Sequence, residues 1–209
     1  MTRAEPVDVT RACYDRLAPL FDLLEWLPEQ GSFGRWRARL WKGVAPGLLL
    51  EVGVGTGKNI PHYPPGAAVT AVDVSPRMLA RAARRTARLG RHVGLHLMDA
   101  QALTFPDAAF DAAAATFVFC SVPDPVQGLR ELGRVVRRGG SIHLLEHMRA
   151  EHRILGRVMD WLDPLVVRVM GAHINRRTLV NVLAAGLKID AVEDLAPRGM
   201  VRLITARVP

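Results

Sequence analysis

The stretch that decides the fold is 48–60, LLLEVGVGTGKNI. An apolar run passes directly into glycines at alternate positions, Gly53, Gly55 and Gly57, two residues after a carboxylate, Glu51. A strand that ends this way before a helix brings main-chain N–H groups close to a ligand, where a Cβ would block the approach. The spacing argues against a phosphate ligand. A dinucleotide fingerprint wants G-x-G-x-x-G, and its third position counted from Gly53 is Lys58; a P-loop wants Gly-Lys followed by Ser or Thr, and Lys58 is followed by Asn59. Glu51 at the mouth of the loop repels a pyrophosphate and favours a cation, such as an ammonium or a sulfonium-bearing amino acid.

Downstream of this loop, short apolar runs alternate with amphipathic segments, as in a parallel sheet covered by helices on both faces. The runs are 48–53, 69–74, 93–100, 110–119 and 140–148. Helical patterns are expected after Gly57, over 75–89 with Ser75-Pro76 as cap and first turn, and over 125–136. Residues 101–107 read as a loop. Residues 8–42 hold two helical patterns separated by Pro28 and Gly31, a candidate lid; 150–185 is again helical, broken at Pro164 and Gly171. KIDAVEDL and MVRLITARV flank a turn at 196–199, so 187–208 should close the chain as an antiparallel hairpin. The expected fold is α/β, Rossmann-like and doubly wound, a mostly parallel seven-stranded sheet in one domain spanning 1–209, with 45–150 as the ligand-binding core.

Two more carboxylates end strands beside the glycines. Asp73, 20 residues after Gly53 (73 − 53), can accept both hydroxyls of a ribose, and Asp99 with Ala100 can read an adenine edge. The alternative for Asp99, given less weight, is a helix or loop cap.

In this order and spacing, E51-V-G-V-G-T-G57, V72-D73-V-S-P-R-M-L79, D99-A100 and F110-D111 resemble the class I S-adenosylmethionine-dependent methyltransferases over about 45–150. The resemblance implies S-adenosylmethionine as cofactor. It implies that Gly53, Gly55, Thr56 and Gly57 pack against its methionine part, that Asp73 and Val74 hold the ribose, that Met78, Asp99 and Ala100 meet the adenine, and that Thr116 faces the cofactor. Y14-D-R-L-A-P-L-F-D22 resembles the opening of quinone-biosynthesis C-methyltransferases and phosphatidylethanolamine N-methyltransferases, which implies a covering helix with Tyr14 touching the cofactor. L145-E-H-M-R149, D163-P and G171-A-H-I-N-R176 look like the phospholipid and thiol-methylating branches, which implies acceptor contacts at Arg149, His173 and Arg176.

Methyl transfer from a sulfonium requires alignment, desolvation and, for an amine, removal of a proton. His147 and Tyr14 are candidates for that proton; His147 also reads as a hydrogen-bonded strand-end histidine and an acceptor contact. His173 and Arg176 could bind a headgroup phosphate, or simply make polar contacts at a helix start. Cys120 has no base partner in the sequence and reads as a small buried residue.

With 49% apolar and 23% charged residues, the chain is globular rather than disordered. Its two cysteines, Cys13 and Cys120, suggest neither a disulfide framework nor a metal site, and no export signal is read, so a cytoplasmic location is expected. The longest apolar stretch, 112–122, is shorter than the roughly 20 residues a membrane span needs. The net charge of +8 favours an anionic partner or surface. Arg77, Arg81, Arg84, Arg85 and Arg88 largely share a helix face, which reads as solvated or as a footprint on lipid headgroups or nucleic acid. Few aromatics interleave them, so no nucleic-acid partner is expected. The leading function is methyl transfer to a small-molecule or lipid acceptor, such as a phospholipid amine, with a quinone precursor or thiol as the alternative. A nucleotide-dependent oxidoreductase or a noncatalytic binding module would be the rival classes.

Overall fold

The structure is a computed structural model that describes residues 6–24 and 26–209. The reading of the extreme N-terminus as free of an export signal therefore lies partly outside the described residues. Seven strands, β1 (Leu48–Val52), β2 (Ala68–Asp73), β3 (Val93–Leu97), β4 (Phe110–Thr116), β5 (Val136–His147), β6 (Lys188–Asp194) and β7 (Val201–Arg207), form one sheet in the order β3-β2-β1-β4-β5-β7-β6. The five strands from β3 to β5 are parallel, and β7 runs antiparallel between β5 and β6. The strand order reverses between β1 and β4, which opens a crevice at their C-terminal ends, where α/β sheets bind ligands.

Side-chain alternation builds two cores. Leu50, Val52, Ala113, Ala115, Ile142 and Leu144 face α5 (Pro125–Val135) and α7 (Thr178–Ala184). Leu49, Ala112, Ala114 and Leu145 face α3 (Gly34–Lys42), and Ala71 meets Ala82 of α4 (Pro76–Leu89). The α4 helix starts where its sequence promises: Ser75 Oγ accepts the Met78 N–H at 3.1 Å, Pro76 follows, and Gly90 closes the helix at φ +60.

Three expectations are corrected. The segment after Gly57 makes turns and a single 3₁₀ turn, Ile60–His62, because Pro61, Pro64 and Pro65 deny a helix its donors. Pro28 and Gly31 do not separate two helices: α2 (Trp26–Pro28) runs through a π-turn, Glu29–Phe33, into α3, and the helical φ of Pro28, −55, is one its ring allows. Pro164 does not break α6 (Arg153–Met170); it lies on the exposed side, where the carbonyl it leaves unbonded can meet water. The sequence expectation of a stop at Gly171 agrees with the structure, which ends α6 there at φ +71.

Candidate active site

The three glycines of the β1 turn do different work. All have positive φ, +70, +55 and +82, in the region that disfavours side chains. A Cβ on Gly53 would overlap Val118, and one on Gly57 would stand 2.6 Å from Ile60 Cδ1 and 3.3 Å from Ala82 Cα. A Cβ on Gly55 would meet nothing within 4 Å among the described residues. The bare main chain that can face a ligand is therefore Gly55, while its two neighbours are required by packing.

Glu51 is placed differently from the sequence reading. It is wholly buried below the turn, flanked by Ala71 and Ala114, and accepts hydrogen bonds from Tyr63 Oη and Asn59 Nδ2. Asn59 Nδ2 also reaches Thr116 Oγ1 at 3.0 Å, and Arg37 Nη1 donates to Asn59 Oδ1 at 3.3 Å. Burial pushes the Glu51 carboxyl up to about 7, against the opposing pull of Tyr63, Asn59 and Arg37. It braces the turn from beneath instead of forming an acidic rim. No local signal in the sequence marks Asn59, Tyr63 or Arg37 as its partners.

Asp73, at the end of β2, accepts the Gly55 N–H at 2.8 Å and the Ser75 N–H at 2.9 Å. Burial raises its carboxyl to about 6, opposed by N–H donors from Ser75, Gly55 and Val74. A carboxylate has about four lone-pair sites, so these donors leave it room to accept one hydroxyl of a ligand. Asp99 lies two residues beyond β3, where its oxygens accept from Gln101 N and Nε2 at 2.9–3.1 Å; it caps its own turn beside the buried Ala100. Met78 is 1% exposed and belongs to the core under the site.

Helix α1 (Pro6–Leu24) lies across this crevice. Tyr14 Oη meets Ser121 Oγ at 2.5 Å, Ser75 Oγ donates to Asp15 Oδ1 at 2.6 Å, and Thr56 Oγ1 donates to Asp22 Oδ1 at 2.7 Å. Arg77 N donates to Asp15, and Arg81 and Arg85 pair with Asp22 at 3.0 and 3.2 Å. Against the burial that opposes it, Asp22 is held below the usual carboxylate range by Thr56, Arg81, Arg85 and Lys58. Three of the five arginines read as an outward face thus hold the covering helix.

On the other side, the turn after β4 is fixed by Glu146, whose Oε1 accepts from Val118 N and Phe119 N at 3.0 and 3.1 Å. Burial raises Glu146 to about 7 and Cys120 to about 12. The segment after α6 packs on this turn: His173 N donates to Cys120 O at 2.9 Å and Arg176 Nη2 to Val122 O at 2.9 Å. His173 Nδ1 meets Asp163 Oδ2 at 2.7 Å, and Arg149 is clamped by Asp160. His147 does not join them. Strand alternation turns it to the face of Leu145, opposite Glu146, where burial lowers its pKa and its Nδ1 has no partner among the described residues.

Residues 50–144 match the family described as "Methyltransferase domain". A demethylmenaquinone methyltransferase of Thermus thermophilus is 39% identical over 174 residues, which cover 77% of this chain and 79% of that protein. The chain belongs to the S-adenosylmethionine-dependent methyltransferases. A phosphatidylethanolamine N-methyltransferase of Cereibacter sphaeroides is 40% identical over 130 residues, 58% of this chain and 64% of that relative's length, so the chain spans just under two thirds of it. A Thermotoga maritima structure titled SAM-dependent methyltransferase, possible histamine N-methyltransferase, superposes with a TM-score of 0.71 over 95% of this chain and 99% of its own; at 20% identity it shows the shared fold alone. The cofactor of this methyltransferase is S-adenosylmethionine. The residues present fit it: open space over Gly55, spare acceptor capacity on Asp73, and no phosphate-binding glycine where Lys58 stands.

Proposed function

We propose that the chain transfers a methyl group from S-adenosylmethionine to a lipid acceptor, the amine of a phospholipid such as phosphatidylethanolamine. When bound, the cofactor supplies a methyl group already activated on sulfonium. Gly55 and Thr56 receive its amino-acid part, Asp73 and Val74 its ribose, and Asp99 and Ala100 its base, with Met78 shaping the floor. Glu51 and Thr116 act through Asn59 to hold the turn, and Tyr14 on the 8–42 lid closes over it. Residues 45–150 form the cofactor core of one domain, 150–185 the acceptor side and 187–208 the closing hairpin. Arg149, His173 and Arg176 line the acceptor side. His147, on the opposite face, is left without an acceptor role.

The observation that carries the lipid reading is the apolar outer surface of the helices around the mouth. Helix α6 buries Gly156, Met159 and Asp163 and exposes Ile154, Val158, Trp161 and Leu165, spaced by four, three and four residues; Trp161 is 79% exposed. Leu20, Leu23, Trp26 and Leu27 are exposed on α1 and α2. A helix with its apolar stripe outward and arginines at Arg153, Arg157 and Arg168 suits the interface of an anionic bilayer. Among the described residues no helix is long and apolar enough to cross a membrane. The protein is thus proposed to be cytoplasmic and peripheral at the inner membrane face. A quinone precursor is the second reading, favoured by the longer match to the Thermus relative.

The test is mass spectrometry of vesicles incubated with protein and S-adenosylmethionine. Phosphatidylethanolamine gaining the mass of one methyl group is expected. Methylation of a demethylmenaquinone or a thiol in its place would overturn the phospholipid reading, and no methylated product with any acceptor would favour a noncatalytic module.

A further inference from the structure

We propose that His173, oriented by Asp163, is the base that accepts the proton from the acceptor's amine, an inference that rests on the amine-methylation reading. Asp163, 7% exposed on the inner face of α6, grips the following segment twice. Its Oδ1 accepts the Ile174 N–H at 2.8 Å, and its Oδ2 meets His173 Nδ1 at 2.7 Å. An ionised carboxylate only accepts, so Nδ1 carries the hydrogen and the neutral ring keeps its lone pair on Nε2. The His173 side chain is 35% exposed, enough to meet a ligand and hand a proton on to water.

The position fits the chemistry as well as the pairing. His173 N is bonded to the carbonyl of Cys120; the next residue, Ser121, holds Tyr14 Oη, and Tyr14 feels the charge of Asp73. The main chain of His173 therefore lies against the turn after β4, beside the Ser121 that holds the covering helix α1. The ionisable groups on the elements packed here are Asp163 from α6, bonded to the ring; Cys120 of the turn after β4, whose carbonyl holds the His173 N–H; Arg176, which feels Asp163 and Cys120; and Cys13 and Tyr14 of α1, which lie against Gly171.

A primary amine headgroup is an ammonium near neutral pH and has no lone pair to attack with. His173 Nε2 takes one proton, and the nitrogen lone pair then forms the bond to the methyl carbon while the carbon–sulfur pair of electrons leaves with sulfur. The imidazolium, stabilised by Asp163, releases its proton to solvent. A positioned base of this kind contributes about 10²–10⁴-fold.

Two measurements on the full chain test the assignment. Long-range proton–nitrogen NMR is expected to show neutral His173 as the Nδ1–H tautomer, lost in Asp163→Asn. With phosphatidylethanolamine vesicles, His173→Gln should lower kcat by about 10²–10⁴-fold and remove the acidic limb of the kcat/KM profile, with S-adenosylmethionine affinity unchanged. An Nε2–H tautomer in the wild type, or a His173→Gln enzyme with wild-type kcat and pH profile, overturns the proposal. A wild-type chain with the expected tautomer that methylates only quinone precursors or thiols overturns the amine reading on which it rests.

Discussion

Gly53 and Gly55 are two residues apart and should fail in different ways when given a side chain. Ala at either position adopts a left-handed conformation costing about 1–2 kcal/mol. Gly53→Ala adds an overlap with Val118 and should lose clearly more stability, while Gly55→Ala meets no atom of the described residues within 4 Å and should lose S-adenosylmethionine binding at least about tenfold at that modest stability cost. Urea unfolding and calorimetry check this, and Gly55→Ala binding with wild-type affinity would contradict it. Glu146 makes a separate prediction at the same scale. Its carboxyl titrates near 4.5 unfolded and near 7 folded, so the native state holds the extra proton between those values. The stability it contributes is present below about 4.5 and is lost as pH rises through 7. Glu146→Gln should therefore gain on the wild type between pH 5 and pH 8, by on the order of 1–3 kcal/mol. Parallel stability–pH curves would refute the assignment.

The covering helix α1 is where the sequence is least informative about an element's role. Its helical period and Tyr14 are legible, but its tethers join residues about 60 positions apart, Asp15 to Ser75 and Asp22 to Arg81 and Arg85, and such pairs leave no local pattern. The same arginines alone look like a solvated face. Strands are far more legible: each apolar run corresponds to a strand, with ends shifted by a few residues where Val136 extends β5 back toward α5 or Asp99 folds into a turn. Because each tether is partly exposed and worth about 0–1 kcal/mol, Asp22→Ala should barely change the unfolding midpoint. It should nonetheless raise amide hydrogen exchange across α1 and shorten the residence time of S-adenosylmethionine several-fold. Unaltered exchange in α1 would show that the helix is held by other contacts.

For the whole molecule, the alternation of apolar runs and helical patterns is enough to expect a doubly wound sheet with a final hairpin, because parallel strands need long crossovers and antiparallel ones do not. The burial of Glu51 is not legible, since one acid in an apolar run looks alike whether it reaches a ligand or turns inward to Tyr63 and Asn59. What survives that correction is the combination of the open space over Gly55, Asp73 and the missing phosphate glycine, beside the reversal of strand order. Isothermal titration of the full chain with S-adenosylmethionine, and separately with NAD, tests this most directly. One S-adenosylmethionine should bind per chain, weakened by about 1–3 kcal/mol in Asp73→Ala, and NAD should give no saturable heat. Saturable binding of NAD without S-adenosylmethionine binding, or an Asp73→Ala chain with wild-type affinity, would contradict the account.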